Sequence, residues 1–377
     1  MDDKRPQSVT GPKALDHDPT SRHFQKKHVE LFSRADSAEW DINSTINATN
    51  AELNTTPQVA MPRVKSAPNP PPKFHHRTPQ PITPVKADRL EELLGYPFQS
   101  RVYLTRGFHL GFRIYFEGER RIFEPPNLKS ATAQPDIIRD KLDKEINAGQ
   151  IASPFQNPPF PDMFCSPLGI VPKKNPSEFR LIHHLSFPQG SSINDSIPSE
   201  VSAIVYATIN DTISVLKRIG RVCFMAKTDI KSAFRIIPVH PDHHPLLGMT
   251  WENLYYCDHC LPMGCSSSCA ICEAFSTALE WIAIHRLGSS SVLHILDDFL
   301  LIADTIEKCQ LDLRNFLNMC QAISVPIARE KTCSPDTSIQ FAGITLDSVQ
   351  QEARFPGNKL WKCHTLNLFL LPAESDA

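Results

Sequence analysis

The stretch Val292-Leu293-His294-Ile295-Leu296-Asp297-Asp298-Phe299-Leu300-Leu301-Ile302-Ala303 places two adjacent acids between two apolar runs. Its pattern predicts strand, turn, strand. Both runs are too apolar for a half-solvated sheet, so the acids stand at the tip of a buried hairpin. Adjacent carboxylates there repel each other and are costly to desolvate. Taken alone, the pair is also an ordinary turn, since Asp suits turns. A second apolar run, Cys223-Phe224-Met225-Ala226, leads to a third acid, Asp229. One carboxylate ending a strand beside an Asp-Asp hairpin is a natural holder for divalent cations, which favour a few carboxylates plus substrate phosphates.

Outward from these strands the pattern stays mixed. A short capped helix is expected over Asp88–Leu94, and a strand over Gly107–Phe116. An amphipathic helix follows over Pro135–Ile151, with Ile138, Leu142 and Ile146 on one face and Gly149 as its stop. Leu168–Pro172 and Phe179–Leu185 read as a strand hairpin around Lys173-Lys174-Asn175-Pro176-Ser177. Ser202–Leu216 suggests a helix, Val222–Thr228 a strand and Ser266–Ile284 a buried helix. Irregular mixing of strands and helices predicts an α+β fold.

Residues 1–86 differ in kind. Nine prolines fall between Pro57 and Pro84, and the segment has no sustained apolar period, so it is expected to be a disordered, Pro-rich N-terminal region. Over the whole chain, 39 Lys and Arg stand against 41 Asp and Glu, which excludes a histone-like basic binder. No run of about 18 uncharged apolar residues is present, and the N-terminus lacks the apolar core of a signal peptide. The 11 cysteines are irregularly spaced and read as reduced intracellular thiols. The expected location is therefore cytoplasmic or nuclear, with no membrane partner. Oligomeric state is not legible.

Six ordered motifs carry a family resemblance. Lys227-Thr228-Asp229-Ile230-Lys231-Ser232-Ala233-Phe234 resembles the first catalytic motif of reverse transcriptases. Leu261-Pro262-Met263-Gly264 resembles their LPxG motif, and Ile295-Leu296-Asp297-Asp298 their YxDD box. Ser166–Lys174 with Phe179–Ile182 is similar to their fingers hairpin. Lys331 within Ala328–Cys333 is similar to the later lysine motif, and Phe341-Ala342-Gly343-Ile344 to the primer grip. The wording RLIHHLSFP, AFRIIPVHP and LPMGCSSSCAICEAFSTALEW resembles DIRS-type, tyrosine-recombinase retrotransposons.

The resemblance implies a palm-and-fingers polymerase with a truncated thumb, acting as an RNA-directed DNA polymerase by two-metal catalysis. It implies a lead-in segment and fingers helix over 87–160, fingers and palm over 161–345, and the start of a thumb or connection over 346–377. Asp229, Asp297 and Asp298 would hold two Mg²⁺ ions, with Mn²⁺ as a substitute, and Lys331 would serve as general acid. Lys173, Lys174, Arg180, Ile230, Phe234, Met263 and Gly264 would contact the deoxynucleoside triphosphate, with Phe234 excluding a 2′-hydroxyl. Phe341, Ala342 and Gly343 would grip the primer of an RNA or DNA template-primer duplex. Ile295 departs from the usual Tyr of the box. Only about 30 residues follow Gly343, and Asn358–Leu371 could form one helix, so the chain is expected to be a fragment of a longer reading frame. The alternative is a catalytically silent relic that binds nucleic acid or protein. Cys257-Asp258-His259-Cys260 has zinc-like spacing, but with no second free pair a zinc site is not expected, and His183-His184 and His243-His244 are read as structural.

Overall fold

A computed structural model describes residues 82–95, 100–152, 154–173 and 177–355. All belong to one compact unit. Lys174, the greater part of the 1–86 segment and the stretch Asn358–Leu371 lie outside the described residues. Among the described residues, no helix is long and apolar enough to cross a membrane.

The described residues open with helices α1 (Ala87–Leu94) and α2 (Arg101–Leu110), with α3 (Pro135–Asn147) farther along. The hairpin β1 (Leu168–Pro172) and β2 (Phe179–His183) comes next, then α4 (Ile209–Ile219) and β3 (Phe224–Asp229). A second hairpin pairs β4 (Gly248–Trp251) with β5 (Leu254–Cys257). Helix α5 (Ser268–His285) precedes β6 (Ser291–Ile295) and β7 (Asp298–Ala303). Helix α6 (Ile306–Ala322) leads to β8 (Cys333–Asp336), β9 (Ser338–Phe341), β10 (Ile344–Asp347) and β11 (Glu352–Arg354).

The central sheet runs β6-β7-β3-β8, antiparallel throughout. Both faces of β7 are covered. Phe299, Leu301 and Ala303 join the main core with α1, α2, α5 and α6, while Leu300 and Ile302 pack with Met225, Leu216, Phe341 and Leu346 on the other side. Burial on both faces is why Phe299–Ala303 is continuously apolar and does not alternate. A separate core joins α3 to the two small hairpins through Ile138, Leu142, Leu168, Ile170, Met249 and Trp251. Arg235 ties that body to the main one, donating to Glu145 at 2.9 Å and to Asp258 at 2.8 Å.

The structure corrects two expected elements. Gly107–Phe116 is not a strand: its first four residues finish α2, whose buried face is Leu104 and Phe108 at helical spacing. The chain then turns at Gly111 (φ +91°) so that Phe112 folds back over Gly107, where a Cβ would meet the ring at 2.2 Å. The dense aromatics therefore mark a reversal against a helix. Nor is Ser202–Leu216 a continuous helix. One turn spans Ser199–Ser202, and α4 starts later, where Thr208 and Asp211 form a reciprocal capping box. Packing also begins inside the segment assigned to the tail, since Val85 is buried and Thr83 Oγ1 donates to Ile236 O at 2.6 Å.

Candidate active site

Strands β3 and β7 bring the acids together. In their register Asp229 stands opposite Asp298, and Asp297 immediately precedes it in the turn from β6. The turn is tied to β3 by Ile230 N donating to Asp297 O at 2.9 Å. Asp229 is 7% exposed. Its Oδ2 accepts from Lys331 Nζ at 2.8 Å, and that bond holds the ammonium above its ordinary pKa. Lys331 sits in a single helical turn, Arg329–Lys331, fixed because Ala328 N donates to Asp229 O at 2.9 Å.

The remaining oxygens are unmatched. Asp229 Oδ1 and Asp298 Oδ1 are buried with no hydrogen-bond partner. Burial, together with neighbouring Asp229, pushes the Asp297 carboxyl upward. Burial first, then Asp229 and Asp297, push Asp298 up to about 6 against the pull of Lys227. Native proteins seldom leave buried carboxylate oxygens unpaired. Three clustered carboxylates with two orphaned oxygens form an all-oxygen donor set that fits a hard divalent cation.

The other candidates lie on other elements of the fold. Val171 pairs with Arg180 across the β1–β2 hairpin, and Arg180 is exposed. Lys173 is exposed too and pairs with Glu178 at 3.0 Å. Phe234, in the turn Ala233–Ile236, is 8% exposed and belongs to the main core. Met263 projects into solvent at 66% exposure. The close approach at Gly264 is to the protein itself, since a Cβ there would meet His183 O at 2.8 Å. Asn194 locks this loop, donating to Gly264 O at 2.8 Å and accepting from Ser266 N at 2.9 Å. Phe341 is a fully buried core residue. Ala342 (φ +46°) and Gly343 (φ +83°) form the two-residue turn of the β9–β10 hairpin.

His244, Cys257 and His259 offer donor atoms within 4.8 Å of one another. The two imidazoles, however, are stacked, with centroids 4.4 Å apart and planes at 21°. In-plane lone pairs of stacked rings run side by side and do not converge on an ion. His244 Nε2 donates to Val239 O and the Cys257 thiol to His244 O. His243 is likewise engaged, accepting from Ile114 N at 3.2 Å.

Residues 171–346 match the family described as "Reverse transcriptase (RNA-dependent DNA polymerase)". This part of the chain is a reverse transcriptase domain. The chain is also 24% identical over 136 residues to the genome polyprotein of Petunia vein clearing virus, in the Shepherd and Hohn isolates. That match takes in 36% of this chain and 6% of the polyprotein. Two similar solved structures are of the foamy viral protease-reverse transcriptase. One is in complex with double-stranded DNA (TM-score 0.51, 15% identity, 75% of this chain and 49% of that one). The other is in complex with an RNA/DNA hybrid (TM-score 0.52, 14% identity, 74% and 37%). At those identities they speak for the fold of the reverse transcriptase domain alone. The chain thus spans a small part of the polyproteins it matches and under half of these viral chains.

Within the reverse transcriptase domain, sequence reasoning overlooked a set of residues under the Asp-Asp turn. Glu273 on α5 and His294 on β6 are both buried and lie 3.2 Å apart. Each is a titratable residue within a largely apolar run, and that mismatch was the available signal.

Proposed function

We propose that the chain is an RNA-directed DNA polymerase core, with fingers and palm, from a retrotransposon of DIRS type. The observation that carries this reading is the convergence of Asp229, Asp297 and Asp298 on paired strands, with two buried oxygens unpartnered. Asp229 and Asp297 would be the principal ligands of two Mg²⁺ ions, with Asp298 nearer the primer end. Ions bound there would activate the primer hydroxyl and offset charge on the leaving pyrophosphate.

The chain's own side chains supply the rest. Lys173, Lys174 and Arg180 neutralise the triphosphate, the Arg as a planar fork and the lysines as point charges. Ile230 and Gly264 shape the nucleotide site, with Met263 at its solvent edge. Phe234 presents its ring to the sugar and leaves no room for a 2′-hydroxyl. Lys331, once released from Asp229, is positioned to donate a proton to the departing pyrophosphate. Ala342 and Gly343 present backbone to the primer from a turn anchored by Phe341. The double-stranded DNA and the RNA/DNA hybrid held in the similar foamy viral structures support a duplex partner for this chain. Ten described cysteines are unpaired, which supports a reducing, intracellular setting.

The test is primer extension on an RNA template by the purified chain with Mg²⁺ or Mn²⁺, beside Asp229→Asn. Template-dependent DNA synthesis lost in the variant supports the reading. Equal incorporation by both proteins, or none by the parent, overturns it.

A further inference from the structure

The Asp-Asp turn contains an expensive backbone feature. Leu296, immediately before Asp297, has φ +52°. A non-glycine residue holds that left-handed conformation only where its surroundings dictate it. The surroundings here are specific. Leu296 N donates to Glu273 Oε2 at 3.1 Å, while Glu273 Oε1 lies 3.2 Å from His294 Nε2. The opposite ring nitrogen of His294, Nδ1, is bonded to Glu280 Oε2. Glu273 and His294 are each 7% exposed as side chains, and Glu280 is 28% exposed. The imidazole also stacks on Phe299, its cross-strand partner, at 5.4 Å.

We propose that Glu273, His294 and Glu280 form a buried charged strut from helix α5 that sets the left-handed backbone at Leu296, and that all three are positioning residues for the carboxylates Asp297 and Asp298. This rests on the polymerase reading above, because it assigns those carboxylates to metal binding.

The chemistry is consistent at each atom. Both imidazole nitrogens face carboxylate oxygens, so both must donate, which requires the imidazolium form. Burial pulls that form down, but Glu280 and Glu273 outweigh it and bring the His294 pKa to about 10. One Glu273 oxygen is thus engaged by His294 Nε2 at 3.2 Å. Its second oxygen is then a strong, fixed acceptor for the Leu296 amide. On the other side, Ile230 N holds Asp297 O at 2.9 Å. The turn is therefore gripped from α5 and from β3 at the peptide units on either side of the Leu296–Asp297 bond, leaving little freedom for the two carboxylates.

The experiment compares the parent with Glu273→Ala, Glu273→Gln and the double variant Glu273→Ala/Leu296→Gly. Two readouts are taken: Mn²⁺ binding by the loss of the free-ion paramagnetic resonance signal, and steady-state primer extension. Glu273→Ala should weaken Mn²⁺ binding and lower kcat, each by about tenfold or more, with the KM for template-primer little changed. Glu273→Gln keeps an acceptor for the amide and should retain most of both. Glycine adopts positive φ without help, so Leu296→Gly should restore Mn²⁺ binding to Glu273→Ala. A role confined to core stability would not be rescued by removing a further side chain. If Glu273→Ala proves unfolded by circular dichroism, the more exposed Glu280→Gln provides the test, with a smaller loss in the same direction. Parent-like Mn²⁺ binding and kcat in folded Glu273→Ala, or no rescue by Leu296→Gly, overturns the strut alone. A parent that neither binds Mn²⁺ nor extends a primer overturns the polymerase reading beneath it.

Discussion

Asp229 and Asp298 face each other across neighbouring antiparallel strands, each with one buried oxygen that no protein group satisfies. Lys331 bonds Asp229 directly at 2.8 Å, while Lys227 pulls on the Asp298 charge without outweighing its burial. A packed core that tolerates such a pair gives up stability for it, and the expected effects of substitution follow.

Replacing Asp229 or Asp297 by Asn should abolish primer extension while leaving the far-ultraviolet spectrum unchanged. For Asp297→Asn in metal-free buffer, the melting temperature should rise, because a desolvated and repelled charge has been removed. Full activity in Asp229→Asn would remove it from the metal site.

Asp298 should give the metal-free protein a specific pH dependence. Its folded pKa, about 6, lies above the ordinary carboxyl value of 3.8. The folded state therefore holds the proton more tightly than the unfolded chain. The stabilisation is complete below pH 4 and is lost as pH rises through 6. Denaturant titrations at pH 4.5 and 7 should show Asp298→Asn losing about 1–2 kcal/mol of the parent's pH dependence across that window. Parallel curves would mean that Asp298 titrates normally.

Lys331→Ala should lower kcat by about 10²-fold with little change in the nucleotide KM, the usual scale for a general acid. Lys331→Arg should keep the contact with Asp229 yet remain slow, because a guanidinium does not readily release a proton. An arginine variant at parental rate would reduce Lys331 to a charge.

Phe234→Val should admit ribonucleotides, raising their kcat/KM relative to deoxynucleotides. The ring is mostly buried, so the variant should also lose stability, by about 1–3 kcal/mol. Destabilisation with unchanged sugar preference would leave Phe234 as core alone.

Gly264→Ala should destabilise the protein by about 1–3 kcal/mol. The added methyl meets the His183 carbonyl, a backbone atom that cannot swing away, in a loop locked by Asn194. An unchanged melting temperature would mean that the Gly264 loop moves freely away from the end of β2.

Much of the site was legible because short apolar runs ending in acids are rare and local. Leu168–Pro172, the strand expected over Val222–Thr228 and the Asp297-Asp298 hairpin emerged from runs of a few residues, and in β7 burial on both faces leaves an unbroken apolar string. The region Gly107–Phe116 misled because Phe108 and Phe112 are neighbours through a chain reversal that local periodicity does not encode. Helix α6 and the strands after it were not foreseen at all.

By itself the sequence determined the three acids, their order, and the apolar strands that carry them. Those depend on residue type within a few positions along the chain. Only the tertiary structure decided that Asp229 meets Asp298, that Lys331 arrives from 102 residues away, and that Glu273 holds Leu296 across 23 residues. These are contacts between elements. Their register is set by which faces of β3, β7 and α5 are buried together, and no local pattern of side chains specifies that.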